Sequence, residues 1–321
     1  MLHTSMISEA LPAPDDAAEQ LRQFQAVCRR DLASLSGLQK SRLGRFLLQT
    51  VLRSQLRRFA DNMARFNMEL VTLGLARASQ SLCARYHGRV VAEGLDLVPS
   101  SGPLLLVSNH PGMFDTLGIF ASLPRTDLRV VARPQPLLGL LASLAPHLLI
   151  LPDEGAGRTT GLRQLLQSLR ANETLLLYPA GHLEPEPFLI GRHGLADAAA
   201  QEPLISWSSG IGTLVKLAAR QGIPLQVVPV SLAGVLSVQT WRRFGPLLKL
   251  RKTLRGREDL TAVLQVAFPT FGPTTVRVRY GAPFDAAALA ANDADVDAIT
   301  ARVKAVVQAQ ILDAMAAARR S

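Results

Sequence analysis

The sequence predicts an α/β fold, with a mostly parallel central sheet flanked by helices and an N-terminal helical arm in front of it. Three observations carry this reading. From Val90 onward, short β-rich runs alternate with helical ones, the pattern of a layered parallel sheet. Before Val90 runs a proline-free stretch with helical periodicity. Hydrophobic residues make up 48% of the 321 residues and charged residues 19%, enough apolar material for a sizeable core.

Residues 1–20, MLHTSMISEALPAPDDAAEQ, read as a disordered polar tail. They contain no basic segment leading into an apolar run, so no signal peptide is expected. Residues 21–88 form the basic amphipathic arm. Within it Leu52, Leu56, Phe59, Met63, Phe66, Leu70 and Leu73 recur at alternating spacings of four and three, one apolar stripe along a long helix. Ten basic residues and two acidic ones lie between Lys40 and Arg89, most of the chain's net charge of +10. Such a stripe either packs on the domain or lies on anionic lipid with its arginines at the rim.

Residues 89–321 form the α/β domain. Strands are predicted at Val90–Ala92, Leu104–Ser108, Leu128–Ala132, Leu148–Leu151, Thr174–Tyr178, Leu225–Val230, Val263–Ala267 and Thr275–Tyr280. Helices are predicted at Thr116–Ser122, Gly161–Arg170, Gly212–Gln221 and Asp295–Arg319. The longest uncharged windows, Pro134–Pro152 and Gln221–Trp241, are interrupted by prolines and polar residues and do not read as membrane spans. A second basic run, Arg242–Arg257, holds seven Lys/Arg and no acid. Trp241 and Phe244 beside it are the residue types an interface anchor uses.

Several function classes fall away. Two cysteines, Cys28 and Cys83, build neither a disulfide framework nor a cysteine zinc site. There is no Gly-x-Ser-x-Gly elbow, His-Glu-x-x-His or Gly-Lys-Ser/Thr loop. The excess of positive charge predicts an anionic partner. With 5% aromatic residues and no recognised binding motif, nucleic acid is not the expected one.

The chemistry concentrates in Leu104-Leu-Leu-Val-Ser-Asn109-His110-Pro111-Gly112-Met-Phe-Asp115. An apolar strand runs into Asn-His, a Pro-Gly turn follows, and Asp115 stands where a helix begins. Ligands of open α/β sheets bind at the carboxyl ends of strands. A carboxylate one turn beyond a histidine there holds one ring nitrogen and leaves the other to take a proton. The helix N-terminus adds oriented N–H groups.

The segment Gly94–Asp115 with its His-x-x-x-x-Asp resembles the first block of the glycerophospholipid acyltransferase family, whose type members acylate 1-acylglycerol 3-phosphate. Tyr178-Pro179-Ala180-Gly181 stands in the place of that family's Phe-Pro-Glu-Gly block. Ser209–Arg220, Ile223–Val230 and Val278–Phe284 resemble the helix and strands that follow it, in the same order. The resemblance implies the family's fold, with His110 as general base and Asp115 as the group orienting it. It implies an acyl thioester, acyl-CoA or acyl-carrier protein, as co-substrate, with no bound cofactor and no metal. A peripheral position on the cytoplasmic face of an anionic membrane follows from the same likeness. Asn109, Tyr178, Pro179 and Gly181 become candidate substrate contacts. The chain departs from the family where the acceptor's phosphate is held. Ala180 replaces the Glu, His182-Leu183 replace Thr-Arg, and Pro152-Asp153-Glu154 stand where the second block has its Arg. Substitutes at hand are Arg158, His182, Glu184, Arg192 and His193. The alternative reading is a catalytically inactive lipid-binding scaffold of the same fold.

Overall fold

The computed structural model describes residues 53–151, 157–190, 204–251 and 253–320, with Arg22, Gln23 and Ala26. The predicted tail, the first part of the arm, and Arg192 and His193 lie outside the described residues, as does the side chain of Arg158.

The apolar stripe of the arm forms α1 (Arg53–Leu73), which breaks at Gly74 and resumes as α2 (Leu75–Arg85). Gly74 has φ 76°, a left-handed conformation that glycine adopts without steric cost. Then come β1 (Gly88–Glu93), β2 (Leu104–Ser108), α3 (Met113–Ser122), β3 (Leu128–Ala132), β4 (Leu148–Ile150), α4 (Gly157–Arg170) and β5 (Thr174–Leu177). The chain continues through α5 (Gly210–Arg220), β6 (Gln226–Ala233), α6 (Leu254–Ala267), β7 (Thr274–Tyr280), β8 (Phe284–Asp285) and α7 (Val296–Arg320). The strands make one sheet in the order β1-β7-β6-β2-β5-β3-β4, with β8 also on β6. Neighbours are parallel except β6 with β7 and β6 with β8. The fold is therefore α/β with a mostly parallel sheet, as the alternation of runs requires.

Helices cover both faces, and β2 shows why its sequence is an unbroken Leu-Leu-Leu-Val. Side chains alternate across a strand, and both faces here are dry. Leu104 and Leu106 pack toward Phe59, Phe66, Leu82 and Phe120 of the α1–α2–α3 layer. Leu105 and Val107 pack toward Leu169, Leu214 and Val303 of the α4–α5–α7 layer. The described part of the arm thus belongs to the domain's own core, through Leu56, Phe59, Met63, Phe66 and Leu70. Full burial of each such side chain stabilises by about 1.5–3 kcal/mol. Leu73, expected in the stripe, is instead exposed beside Met68 and Val71.

Val263–Ala267 is the one misread strand; it ends α6. Leu260, Thr261 and every residue from Val263 to Ala267 are buried. No polar face remains to show helical period, and a short apolar run cannot be told from a buried strand. Trp241 is buried and Phe244 is stacked on Phe268 at 6.1 Å, so neither presents its ring as the surface anchor expected of it.

The sheet sets the site. β2 and β5 end together, with Val107 beside Leu177, and β6, which faces Ser108 at Val230, runs on to Ala233 at the same edge. Residues 109–115, 178–186 and 234–237 leave that common edge and meet. Across it lies α3, seated closely on β7 because Gly118 has no side chain: a Cβ there would stand 2.7 Å from Val276 Cγ1.

Candidate active site

Asn109 follows β2 directly and is buried. Its amide donates to Leu232 O at 2.9 Å and accepts from Leu232 N at 2.8 Å, continuing the β2–β6 ladder with a side chain. Expected at the substrate, it is instead fully committed to β6, and this clamp fixes where the next residue points.

That residue is His110. Its Nδ1 lies 2.5 Å from Asp115 Oδ2, and its side chain keeps 26% exposure. Asp115 is wholly buried, a costly place for a carboxylate unless its lone pairs are filled. They are filled. Oδ2 also accepts from Gly112 N at 3.1 Å, and Oδ1 accepts from Thr116 N and, at 3.1 Å, from Thr116 Oγ1. Of the oriented N–H groups expected at this helix N-terminus, those of Gly112 and Thr116 are taken by Asp115. An acceptor-only carboxylate on Nδ1 requires the proton there, which leaves the Nε2 lone pair free for a reacting group.

Tyr178 closes the site from β5. Its ring stacks on that of His110, centroids 4.2 Å apart and planes 18° from parallel. Its hydroxyl lies 2.8 Å from Thr116 Oγ1. Thr116 gives its only hydroxyl proton to Asp115, so Tyr178 is the donor, and one chain runs from Tyr178 through Thr116 to Asp115. Burial, with the charge of Asp115 next, pushes the Tyr178 hydroxyl well above the ordinary tyrosine range, which keeps that proton in place.

The next turn, Pro179-Ala180-Gly181, is closed by Gly181 N donating to Tyr178 O at 3.1 Å. Pro179 is buried and its carbonyl accepts from Ser208 N. Gly181 adopts φ 69°, and a Cβ there would approach Arg133 Nη2 at 3.3 Å. Gly181 and His182 are exposed, and Arg133 joins them from the end of β3. Arg133 was not foreseen; its place directly after a strand ending at this edge was the available signal.

Glu184, expected as a substrate contact, points inward and is 1% exposed. Its Oε2 accepts from His110 N at 3.0 Å, its own N–H donates to His110 O at 2.7 Å, and its Oε1 accepts from Trp207 Nε1 at 3.0 Å. Burial pushes this carboxyl up, opposed by those donors. Glu184 thus fixes the backbone of His110 rather than a ligand.

Glu186, two residues on and flanked by Pro185 and Pro187, holds the third loop. Its carboxylate accepts from the N–H groups of Gly234, Val235, Leu236 and Phe188 at 2.7–3.2 Å. Its own N–H donates to Glu258 Oε1 at 2.9 Å. Burial pushes Glu186 up to about 7 and Glu258 up to about 8, where the neighbouring Glu186 charge adds to the effect. With four N–H donors, Glu186 is the member that takes the charge, and Glu258 keeps its proton.

A pH dependence follows. The folded pKa of Glu258 lies above its unfolded value near 4.5. The native state then holds a proton the unfolded chain has lost, so stability falls as pH rises through that interval, by up to about 1.4 kcal/mol per pH unit, and levels off above about pH 8. Glu258→Gln keeps the acceptor for Glu186 N without the titration. Its melting temperature relative to the parent is expected to rise from pH 5 to 8 and stay constant above, as checked by thermal melts across that series.

Among the described residues no group of His, Cys, Asp and Glu is arranged to hold a metal ion, and no helix is long and apolar enough to cross a membrane.

No match is found among curated protein sequences. Among solved structures the chain is similar to the 1-acyl-sn-glycerophosphate acyltransferase PlsC of Thermotoga maritima, at 15% identity over 92% of this chain and 96% of that one, with a TM-score of 0.44. Residues 89–233 match the Acyltransferase family model, a span that runs from β1 through the His110–Asp115 turn to the end of β6. By that match residues 89–233, which carry the His110–Asp115 turn, are similar to the acyltransferase family.

Proposed function

We propose that the protein moves a fatty acyl group from an acyl thioester to a hydroxyl of a lysophospholipid or similar lipid, with His110 as general base. The observation that carries this is the His110–Asp115 pair: a buried, fully hydrogen-bonded carboxylate on Nδ1 and a partly exposed ring whose Nε2 is unoccupied. Nε2 takes the proton of the acceptor hydroxyl as its oxygen attacks the thioester carbonyl carbon. The tetrahedral intermediate collapses, the carbon–sulfur bond breaks, and the proton on Nε2 passes to the leaving thiolate. Asp115 stabilises the imidazolium between these steps. The product is an ester and a free thiol, with no acyl-enzyme.

Acyl-CoA and acyl-carrier protein are both suitable thioesters. The acceptor's headgroup meets Gly181, His182 and Arg133, with Arg158 in the first turn of α4 as a further candidate. The alternative, an inactive lipid-binding scaffold, is motivated by Ala180 and His182-Leu183 in place of the family's Glu and Thr-Arg.

The test is thiol release from palmitoyl-CoA and from palmitoyl-carrier protein, with and without lysophospholipid. Acceptor-dependent release supports the transferase; vesicle binding without release from either donor supports the scaffold. In the same assay Asp115→Asn is expected to lower kcat by about 100-fold with KM for the thioester unchanged. Its single amide oxygen cannot accept from His110, Gly112 and Thr116 together, and its NH₂ turns a donor toward one of them.

A further inference from the structure

We infer that the corner formed by residues 242–251 and Phe271 is the surface by which the protein docks on an anionic lipid bilayer. The inference rests on the acyltransferase reading only for the nature of the partner; the surface itself stands on its own observations.

The connection from β6 to β7, residues 234–273, leaves and re-enters the sheet at the end where His110 stands, since Ala233 pairs with Arg277 across that edge. It is built as a firm platform. Gln265 accepts from Ser237 N and donates to Val235 O, at 2.8 and 3.1 Å, and Glu258 holds Glu186 N. Phe244 and Phe271 each stack on Phe268, at centroid distances of 6.1 and 5.7 Å. Leu248 and Trp241 turn inward into a core of their own.

Against this rigid base, the outward residues are of the wrong kind for water. Leu250 is 73% exposed, with Leu247 at 39% and Phe271 at 37%. Leu247 and Leu250 are three residues apart and project together from the end of a short helix, Gly245–Leu248. Around them stand Arg242, Arg243 and Lys249, all exposed. The Arg243 guanidinium lies 4.3 Å from the centre of the Phe271 ring. No Asp or Glu occurs from Gly234 to Arg257. The nearest acid, Asp259, is paired with Arg255 at 2.8 Å and lies in the field of Arg251. Apolar side chains bordered by an excess of cations match the interfacial region of a membrane, where the leucines enter the acyl boundary and the cations meet phosphate. A protein partner of ordinary character would find here only Asp259, already paired with Arg255, to meet its own cations. Docked in this way, the platform brings the His110 edge of the sheet toward the lipid.

The experiment is co-sedimentation of the full chain with vesicles of phosphatidylcholine, alone or mixed with phosphatidylglycerol. The parent is expected to sediment with the mixed vesicles, to prefer them to phosphatidylcholine alone, and to be released by salt. Leu247→Glu with Leu250→Glu is expected to lower partitioning at least about tenfold, Leu250→Gln alone by a smaller factor. Arg242→Glu with Arg243→Glu is expected to abolish the preference for phosphatidylglycerol. The three variants change exposed side chains, and urea midpoints equal to the parent's establish that they fold. The inference is overturned if the parent does not sediment, or if the variants sediment like it. It is overturned too if the leucine variants instead change the molar mass measured by light scattering, which makes a second copy the occupant. Sedimentation needs no turnover, so His110→Ala is expected to bind vesicles like the parent. Binding without acyl transfer would leave this surface standing and remove the catalytic reading; transfer without binding would do the reverse.

Discussion

His110→Ala is expected to lower acyl transfer by about a thousandfold while the protein stays folded. General-base catalysis contributes typically about 10²–10⁴ in rate. Glu184, the nearest carboxylate along the strap, is turned inward and spent on His110 N and Trp207. Tyr178 keeps its proton. The fold survives because the backbone of His110 is held independently of its ring, through its N–H and carbonyl to Glu184. The ring contributes its stacking on Tyr178, worth about 1 kcal/mol, and its hydrogen bond to buried Asp115, worth about 1.5–3 kcal/mol, while Gly112 N, Thr116 N and Thr116 Oγ1 still hold that carboxylate in the variant. Kinetics of thiol release, with a urea melt alongside, check both halves of the expectation.

Glu186→Ala is expected to be the most damaging single change to stability, at about 4 kcal/mol. It removes the acceptor for four N–H groups, those of Gly234, Val235, Leu236 and Phe188, in a place with no solvent access. Each buried orphan donor costs about 1–3 kcal/mol, partly relieved by relaxation or entering water. The damage reaches the site, because a Cβ on Gly112 would meet Val235 Cγ1 at 3.2 Å, so the 234–236 loop walls the catalytic turn. Glu186→Gln retains one acceptor oxygen and is expected to fall between parent and Ala variant. Urea unfolding monitored by tryptophan fluorescence gives the ordering.

Sequence made the centre of the parallel sheet legible because β2 and β5 are buried on both faces and read as short apolar runs between turn residues. β7 was legible for another reason: it alternates buried and outward residues from Thr274 to Tyr280. The same rule misled at Val263–Ala267, where a helix buried on all sides shows no period. The His110–Asp115 pairing was visible as spacing, since five residues across a strand-to-helix turn return a side chain to its starting point. The roles of Asn109 and Glu184 were not. Both are polar residues next to the catalytic turn, and only the partner strand and Trp207, 23 residues downstream of Glu184, show that they face inward. Glu184-Pro185-Glu186-Pro187 did carry a local signal: residues before proline are extended, and an extended strap with carboxylates at alternate positions can latch two neighbouring loops.

The central claim is that this site transfers an acyl chain to a lipid hydroxyl, and mass spectrometry of the product tests it most directly. Isotope-labelled palmitoyl-CoA and, separately, palmitoyl-carrier protein are incubated with the purified protein and a total lipid extract, parent beside His110→Ala. The account predicts labelled palmitate in a new ester-linked lipid, formed with the parent and absent with the variant. Equal labelling by both proteins, or none from either donor by the parent, would contradict it.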